Sequence, residues 1–323
     1  MTDVTTIATP TLWAVSIVGL LALLGLDLLI TRKPHEVSTR EAIGWSLFYI
    51  ALPLTFGVWV WTAHGAGDGL DFYTGYLVEK SLSVDNLFVF IIILSAFAVP
   101  PALRQRVLLV GIVGALVLRG VFIVVGAELI ARFSVMFLIF GAVLIATAVK
   151  VLRDARAGGH AVDVAAMPSV RLVRRCMPVT GDYRGSRMTV REAGRRALTP
   201  LGLVALAILA TDVVFAIDSV PAVYGITTDP YLVFATNAFS LLGLRALYFV
   251  LEGAIGKLRH LGHGLSVILA FIGVKLILHW LHGVVPGTPT IPTPWSLAVI
   301  VVVLATVVVT SLAAERRDAR TSP

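Results

Sequence analysis

The sequence predicts an all-α polytopic membrane protein of about nine transmembrane helices, with an inverted three-plus-three helix repeat. Three observations lead there. The chain is 58% hydrophobic and only 14% charged, with a mean hydropathy of +0.92, whereas a soluble domain carries about 25% charged residues. Apolar runs long enough to cross a hydrocarbon core of about 30 Å recur along it, and the alternating segments of a membrane barrel are absent. Charged landmarks also recur in the same order in two parts of the chain.

Spans are expected over 11–30, 43–63, 72–98, 104–126, 130–151, 200–220, 231–251, 264–283 and 295–313. The first reads as a retained span, because Met1–Pro10 has no basic residue and no small-residue cleavage site follows. The connections then sort by charge. Arg32, Lys33 and Arg40 follow the first span; Arg104 and Arg106 follow the third; ten arginines lie from Arg153 to Arg196; Lys257, Arg259 and His260 follow the seventh; Arg316, Arg317 and Arg320 close the chain. The intervening connections hold Asp68 and Asp71, the offsetting pair Glu128 and Arg132, Asp229, or no charge. The positive-inside rule puts the N-terminus outside and the C-terminus in the cytoplasm, as an odd span count requires.

This alternation accounts for the net charge of +7 without nucleic acid. The whole chain, 1–323, reads as one transmembrane domain, with a first repeat over 72–151 and a second over 200–283. Segment 152–199 reads as a basic cytoplasmic loop, either a solvated, partly disordered linker or an element with a regulatory or membrane-surface role. The lone Cys176 excludes an intrachain disulfide and a cysteine-built metal site.

The repeat rests on paired landmarks. Glu79-Lys80-Ser81-Leu82-Ser83-Val84-Asp85-Asn86 matches Asp212-Val213-Val214-Phe215-Ala216-Ile217-Asp218-Ser219: two carboxylates six residues apart, then an amide or a hydroxyl. Leu118-Arg119, leading to Glu128, matches Leu244-Arg245, leading to Glu252. Ala148–Leu152 resembles Gly273–Ile277, pairing Lys150 with Lys275. Because each copy has an odd number of spans, the copies are oppositely oriented. Inverted repeats are a secondary-transporter architecture with the site near midplane.

An ionised residue at bilayer depth costs about 2.5–3.5 kcal/mol on insertion scales and marks an ion or substrate path. Folding the repeats together is expected to gather Glu79, Asp85, Asp212 and Asp218. With Asn86 and Asn237 they form an oxygen-rich set suited to Mn²⁺, Mg²⁺ or Ca²⁺. Asn237 reads equally well as an interhelical hydrogen-bonding residue. Carboxylates six residues apart on a helix stand about 120° apart, so the helices carrying them are expected to be broken, near Pro221 and near Gly75 and Ser81–Ser83. Lys80, Arg119, Arg245 and Lys275 form a supporting charge network, either neutralising an empty site or locking helices. His279 and His282 read as interfacial residues.

Three segments, Gly75–Phe90 (GYLVEKSLSVDNLFVF), Ala210–Thr227 (ATDVVFAIDSVPAVYGIT) and Thr236–Phe249 (TNAFSLLGLRALYF), resemble the motifs of the TerC/Alx family of bacterial membrane proteins. The resemblance runs over essentially all nine spans. It implies a nine-span relative of the LysE-type exporters in the bacterial cytoplasmic (inner) membrane, associated with manganese efflux and tellurium resistance. By motif position it also implies a metal-binding role for Glu79, Asp85, Asn86, Asp212, Asp218 and Asn237.

The expected function is export of a divalent metal cation by a secondary transporter, Mn²⁺ ahead of Ca²⁺ on the strength of the resemblance. No permanently bound cofactor is expected. The alternative is a non-transporting assembly or stress-response module of the tellurium-resistance type, in which the acidic cluster is structural. Contacts with secretion machinery or with further copies of the chain belong to the expected partners, alongside the bilayer and the metal ion. An enzyme is not expected, because the chain lacks HExxH and dinucleotide-loop motifs.

Overall fold

The structure is a computed structural model that describes residues 6–30, 38–157, 178–192, 195–252, 260–285 and 287–321. Its helices are α1 (Pro10–Ile30), α2 (Thr39–His64), α3 (Ala66–Ala96), α4 (Pro101–Arg132), α5 (Val135–Arg156), α6 (Pro200–Tyr224), α7 (Pro230–Leu242), α8 (Leu244–Glu252), α9 (Leu261–Val284) and α10 (Thr293–Thr321). Strands β1 (Thr189–Glu192) and β2 (Arg195–Leu198) form an antiparallel ribbon between α5 and α6. Cys176, His35, His160, Lys257 and Arg259 lie outside the described residues.

Helix starts follow local chemistry. Ser38 and Glu41 have the spacing of a capping box, and the Ser38 hydroxyl accepts from the Glu41 N–H at 3.3 Å. Thr199 caps α6 by accepting from the Gly202 N–H at 3.2 Å. Asp229 caps α7 by accepting from the Tyr231 N–H at 2.8 Å. Proline opens α4, α6 and α7, where its missing N–H costs nothing.

Seven described helices are long and apolar enough to cross a membrane, or eight if the bent pair α7–α8 is one span. They display a wide apolar exterior, including Val18, Leu29, Val124 and Val309. The chain is a multi-pass membrane protein. Helix α3 is as long as these spans but carries Asp68, Asp71, Glu79, Lys80 and Asp85, too many charges for an apolar span by composition alone. Asp68 and Asp71 belong to its first turns, not to the loop before it.

The connections gather at two ends of the bundle. At one end, Thr6 and Ile7 bond to Asp229, and Asp71 sits beside Thr227 and Thr293. At the other, the Tyr183 hydroxyl donates to the Phe97 carbonyl at 2.7 Å, Arg104 pairs with Glu252, and the His260 N–H reaches Ser311 at 3.2 Å. This second end bears the ribbon, so the described part of 152–199 is not merely a solvated linker. Main-chain bonds between Thr180 and Leu198 and between Leu198 and Pro178 stitch it together, and Ala197, Leu198 and Thr199 are buried against the bundle.

The helices that carry the acidic pairs are not broken. α3 runs unbroken from Ala66 to Ala96 and α6 from Pro200 to Tyr224. Pro221 falls in the last turn of α6, where the helix is ending anyway. The break lies at Gly243, where α7 and α8 meet at 42°. A side chain there would press on Tyr49 and on the Lys80 ammonium.

Candidate cation site

Four helices converge on one guanidinium. Arg119 of α4 is fully buried and is the largest fully buried side chain among the described residues. Its Nη1 donates to Glu79 of α3 and to Asn237 Oδ1 of α7 at 3.0 Å. Its Nη2 donates to Asp212 Oδ1 of α6 at 3.2 Å. Asn86 completes the ring when its amide is oriented to suit its neighbours: the nitrogen then donates to the Leu82 carbonyl at 3.1 Å, and the oxygen accepts from Arg119 Nη2 at 3.2 Å.

The backbone brings these groups together through close helix contacts. Gly111 and Gly114 of α4 leave room for Ile208 and Leu209 of α6, and Gly75 of α3 leaves room for Thr236 of α7. Ser83 and Ser240 share a hydroxyl hydrogen bond at 2.7 Å, a second tie between α3 and α7. Asn237 is held by its own helix, its amide donating to the Val233 carbonyl at 3.1 Å, which leaves the oxygen for Arg119.

The site is not balanced. Glu79 and Asp212 face a single guanidinium, and burial makes an uncompensated charge expensive. Glu79 Oε2, Asp212 Oδ2 and Arg119 Nε are all buried without a hydrogen-bond partner. Asp218 lies within the electrostatic reach of both Arg119 and Asp85; it and Asp85 are half-buried. The two tiers follow from helix geometry. Six residues turn a helix by about 600°, so α3 and α6 each aim one carboxylate at Arg119 and the other to the side. Among the described residues, no group of three or more His, Cys, Asp or Glu side chains is arranged to hold a metal ion. Arg119 stands between Glu79 and Asp212, two of the four carboxylates expected to gather.

The remaining basic residues divide. Arg245, matched to Arg119 in the sequence, is not at this site. It makes two bonds to Asp27 of α1, Nε to Oδ2 at 3.1 Å and Nη2 to Oδ1 at 2.6 Å, and the Tyr49 hydroxyl adds a third at 3.0 Å. Lys80 reaches the Ser240 carbonyl at 3.4 Å, beside the helix break. Lys275 lies near Asp71, away from Arg119. Glu128 pairs with Arg132 on the surface, whereas Glu252 pairs with Arg104, so these two glutamates share a sequence pattern but not a setting. Asp27 was not among the expected residues. Its signal was present as a lone acid in the apolar run Gly25-Leu26-Asp27-Leu28-Leu29-Ile30.

The profile of the "Integral membrane protein TerC family" matches residues 64–319. The chain belongs to the TerC family. It is 43% identical to an uncharacterized membrane protein of Myxococcus xanthus over 273 residues, covering 84% of this chain and 85% of the relative. It is 41% identical to the "Putative membrane-bound redox modulator Alx" of Salmonella typhi over 283 residues, covering 84% and 87%. An uncharacterized membrane protein of Mycobacterium tuberculosis is 42% identical over 274 residues, covering 84% and 68%. No solved structure matches. The match takes in Glu79, Arg119, Asp212 and Asn237, whereas Asp27 lies ahead of the matched residues.

Proposed function

We propose that this TerC-family protein is a secondary transporter that exports a divalent cation, Mn²⁺ first, across the bacterial cytoplasmic membrane. The observation that carries the reading is the excess of buried acid at Arg119: two carboxylates from α3 and α6, each with an unpartnered oxygen, beside two amide oxygens. That donor set is hard and anionic, and suits Mn²⁺ or Ca²⁺ better than a soft metal. Asp85 and Asp218 supply a second tier through which the ion exchanges. With α3 counted as a span, the described residues hold nine, with the N-terminus outside and the basic end in the cytoplasm.

An inverted repeat of α3–α5 and α6–α9 is supported by reciprocal packing. A Cβ on Gly141 would lie 2.7 Å from the Gly273 carbonyl oxygen, and one on Gly273 would lie 2.9 Å from the Gly141 carbonyl oxygen. Ile277 lies against Gly141 as Ile145 lies against Gly273. The Gly141–Gly273 pairing is shifted by seven residues from the sequence pairing of Ala148 with Gly273. Seven residues is close to two helical turns, so both pairings select one helix face.

The test is metal-dependent thermal stabilisation of the purified protein with Mn²⁺, Ca²⁺, Mg²⁺ and Zn²⁺, with Asp218→Asn as control, together with manganese content in cells lacking other exporters. Stabilisation by Mn²⁺ that the substitution removes, and lowered cell manganese on expression, are expected. Indifference to all four metals would sink the reading. The other reading is a membrane module without transport, favoured by the Alx relatives' "redox modulator" name and by the folded ribbon of the basic end as a partner surface. It predicts that deleting β1–β2 abolishes function while Asp212→Asn and Asp218→Asn are tolerated.

A further inference from the structure

Resting on the cation-transport reading and going one step past it, we propose that Arg119 is a built-in competitor of the transported ion. Its guanidinium fills the space between Glu79 and Asp212 when no metal is there and leaves when the metal enters. The two arginines of the repeats make the case by contrast. Arg245 meets one carboxylate with two bonds, and Asp27 receives a further bond from Tyr49. Both of those Arg245 bonds go to a single carboxylate. Arg119 instead meets two carboxylates and two amide oxygens with one charge. Its Nε and one oxygen of each carboxylate stay unpartnered. A buried ion pair kept for stability needs its remaining donors and acceptors satisfied. This one leaves three atoms unmet.

The charge count fits an exchange. A divalent cation neutralises Glu79 and Asp212 together, which a guanidinium cannot do. The oxygens that Arg119 now occupies come from α3, α6 and α7, so vacating it opens a set of ligands without moving a helix. The displaced guanidinium also has somewhere to go. Asp218 already lies within its electrostatic reach, so the charge keeps a carboxylate partner. The exchange prevents the empty carrier from burying two bare carboxylates, and it makes the return of the empty site a separate, charge-compensated state.

The experiment is equilibrium binding of Mn²⁺ to the full-length protein in detergent, for the wild type, Arg119→Gln and Arg119→Lys. A ligand whose competent state is a minor one binds more weakly by the fraction populated. With minor states at roughly 10% or less, removing the competitor should tighten Mn²⁺ binding about tenfold or more in Arg119→Gln. Arg119→Lys keeps the charge but loses the fork that spans both carboxylates, so a smaller tightening is expected. Millimolar guanidinium chloride, against sodium chloride of equal strength, should weaken Mn²⁺ binding to Arg119→Gln and barely affect the wild type. Folded variants that bind Mn²⁺ no tighter than the wild type overturn the proposal and leave the transport reading standing. Failure of wild type and variants alike to bind Mn²⁺, Ca²⁺ or Mg²⁺ overturns both. Should Arg119→Gln not fold, the Lys variant decides alone.

Discussion

Arg245 and Asp27 are joined by two hydrogen bonds, Nε to Oδ2 at 3.1 Å and Nη2 to Oδ1 at 2.6 Å, and both side chains are almost fully buried. The pair ties α8, just past the Gly243 break, to α1. Removing one partner of such a pair strands the other's charge and typically costs about 3–5 kcal/mol. Asp27→Ala should therefore lower the inactivation temperature sharply. The double variant Asp27→Leu with Arg245→Met should recover most of the loss, because the Arg245 charge is then not left stranded. Thermal inactivation in detergent measures both; equal losses in the single and double variants would reject the pairing as the cause.

The contact between α5 and α9 makes a prediction of opposite type. A methyl group on Gly141 would lie 2.7 Å from the Gly273 carbonyl oxygen, a backbone atom that cannot swing away. Gly141→Ala should destabilise by about 1–3 kcal/mol through overpacking, and Gly141→Leu should prevent α5 and α9 from closing. Gly120 on α4 has nothing within 4 Å of the added methyl, so Gly120→Ala should be neutral or stabilising, by up to about 1 kcal/mol of helix propensity. Thermal denaturation of the pair separates packing from propensity.

Tyr183 is held at the end of the bundle that carries the ribbon, its hydroxyl donating to the Phe97 carbonyl at 2.7 Å. Burial pushes its pKa upward from the ordinary tyrosine value. A folded pKa above the unfolded one means the docking contributes fully below the unfolded value. That contribution is lost as pH rises through the folded one. The segment around Tyr183 should thus become protease-sensitive only above about pH 10. Tyr183→Phe should remove that pH dependence and cost about 0.5–1.5 kcal/mol at neutral pH. Limited proteolysis across pH is the measurement.

Asp229 does two jobs with one carboxylate. It caps α7 through the Tyr231 N–H at 2.8 Å and holds the start of the described chain through Thr6 at 2.8 Å and the Ile7 N–H at 2.7 Å. Asp229→Ala should cost about 0.5–2 kcal/mol from the cap alone and also free residues 6–9. Asp229→Ser should keep the cap and still free the segment. Hydrogen exchange at residues 6–9 distinguishes the two functions, with faster exchange expected in both variants.

The helices were legible in the sequence because a bilayer admits few solutions. A stretch such as 11–30 or 264–283 must satisfy its backbone internally, so apolar length alone predicts a helix, and α1 and α9 fall within three residues of expectation. That Glu79, Asp212, Asn86 and Asn237 come together was also readable, since polar groups in apolar spans stand out against their background.

Which partner each polar group takes was not readable. Arg119 and Arg245 have the same sequence setting, Leu-Arg in a matched span, yet one meets Glu79 and Asp212 while the other meets Asp27. That choice depends on which helices lie alongside, and helix neighbours 40 to 218 residues apart leave no local signature. The expected breaks in α3 and α6 failed for a related reason. Spacing on one helix said that two carboxylates could not share a face, but the structure answers by using one face for Arg119 and the other for a second tier. By itself, then, the sequence determined a multi-pass helical membrane protein with buried acids, because hydrocarbon penalises every alternative. Tertiary packing alone decided that a buried arginine stands among those acids, and that their charge is left only partly balanced.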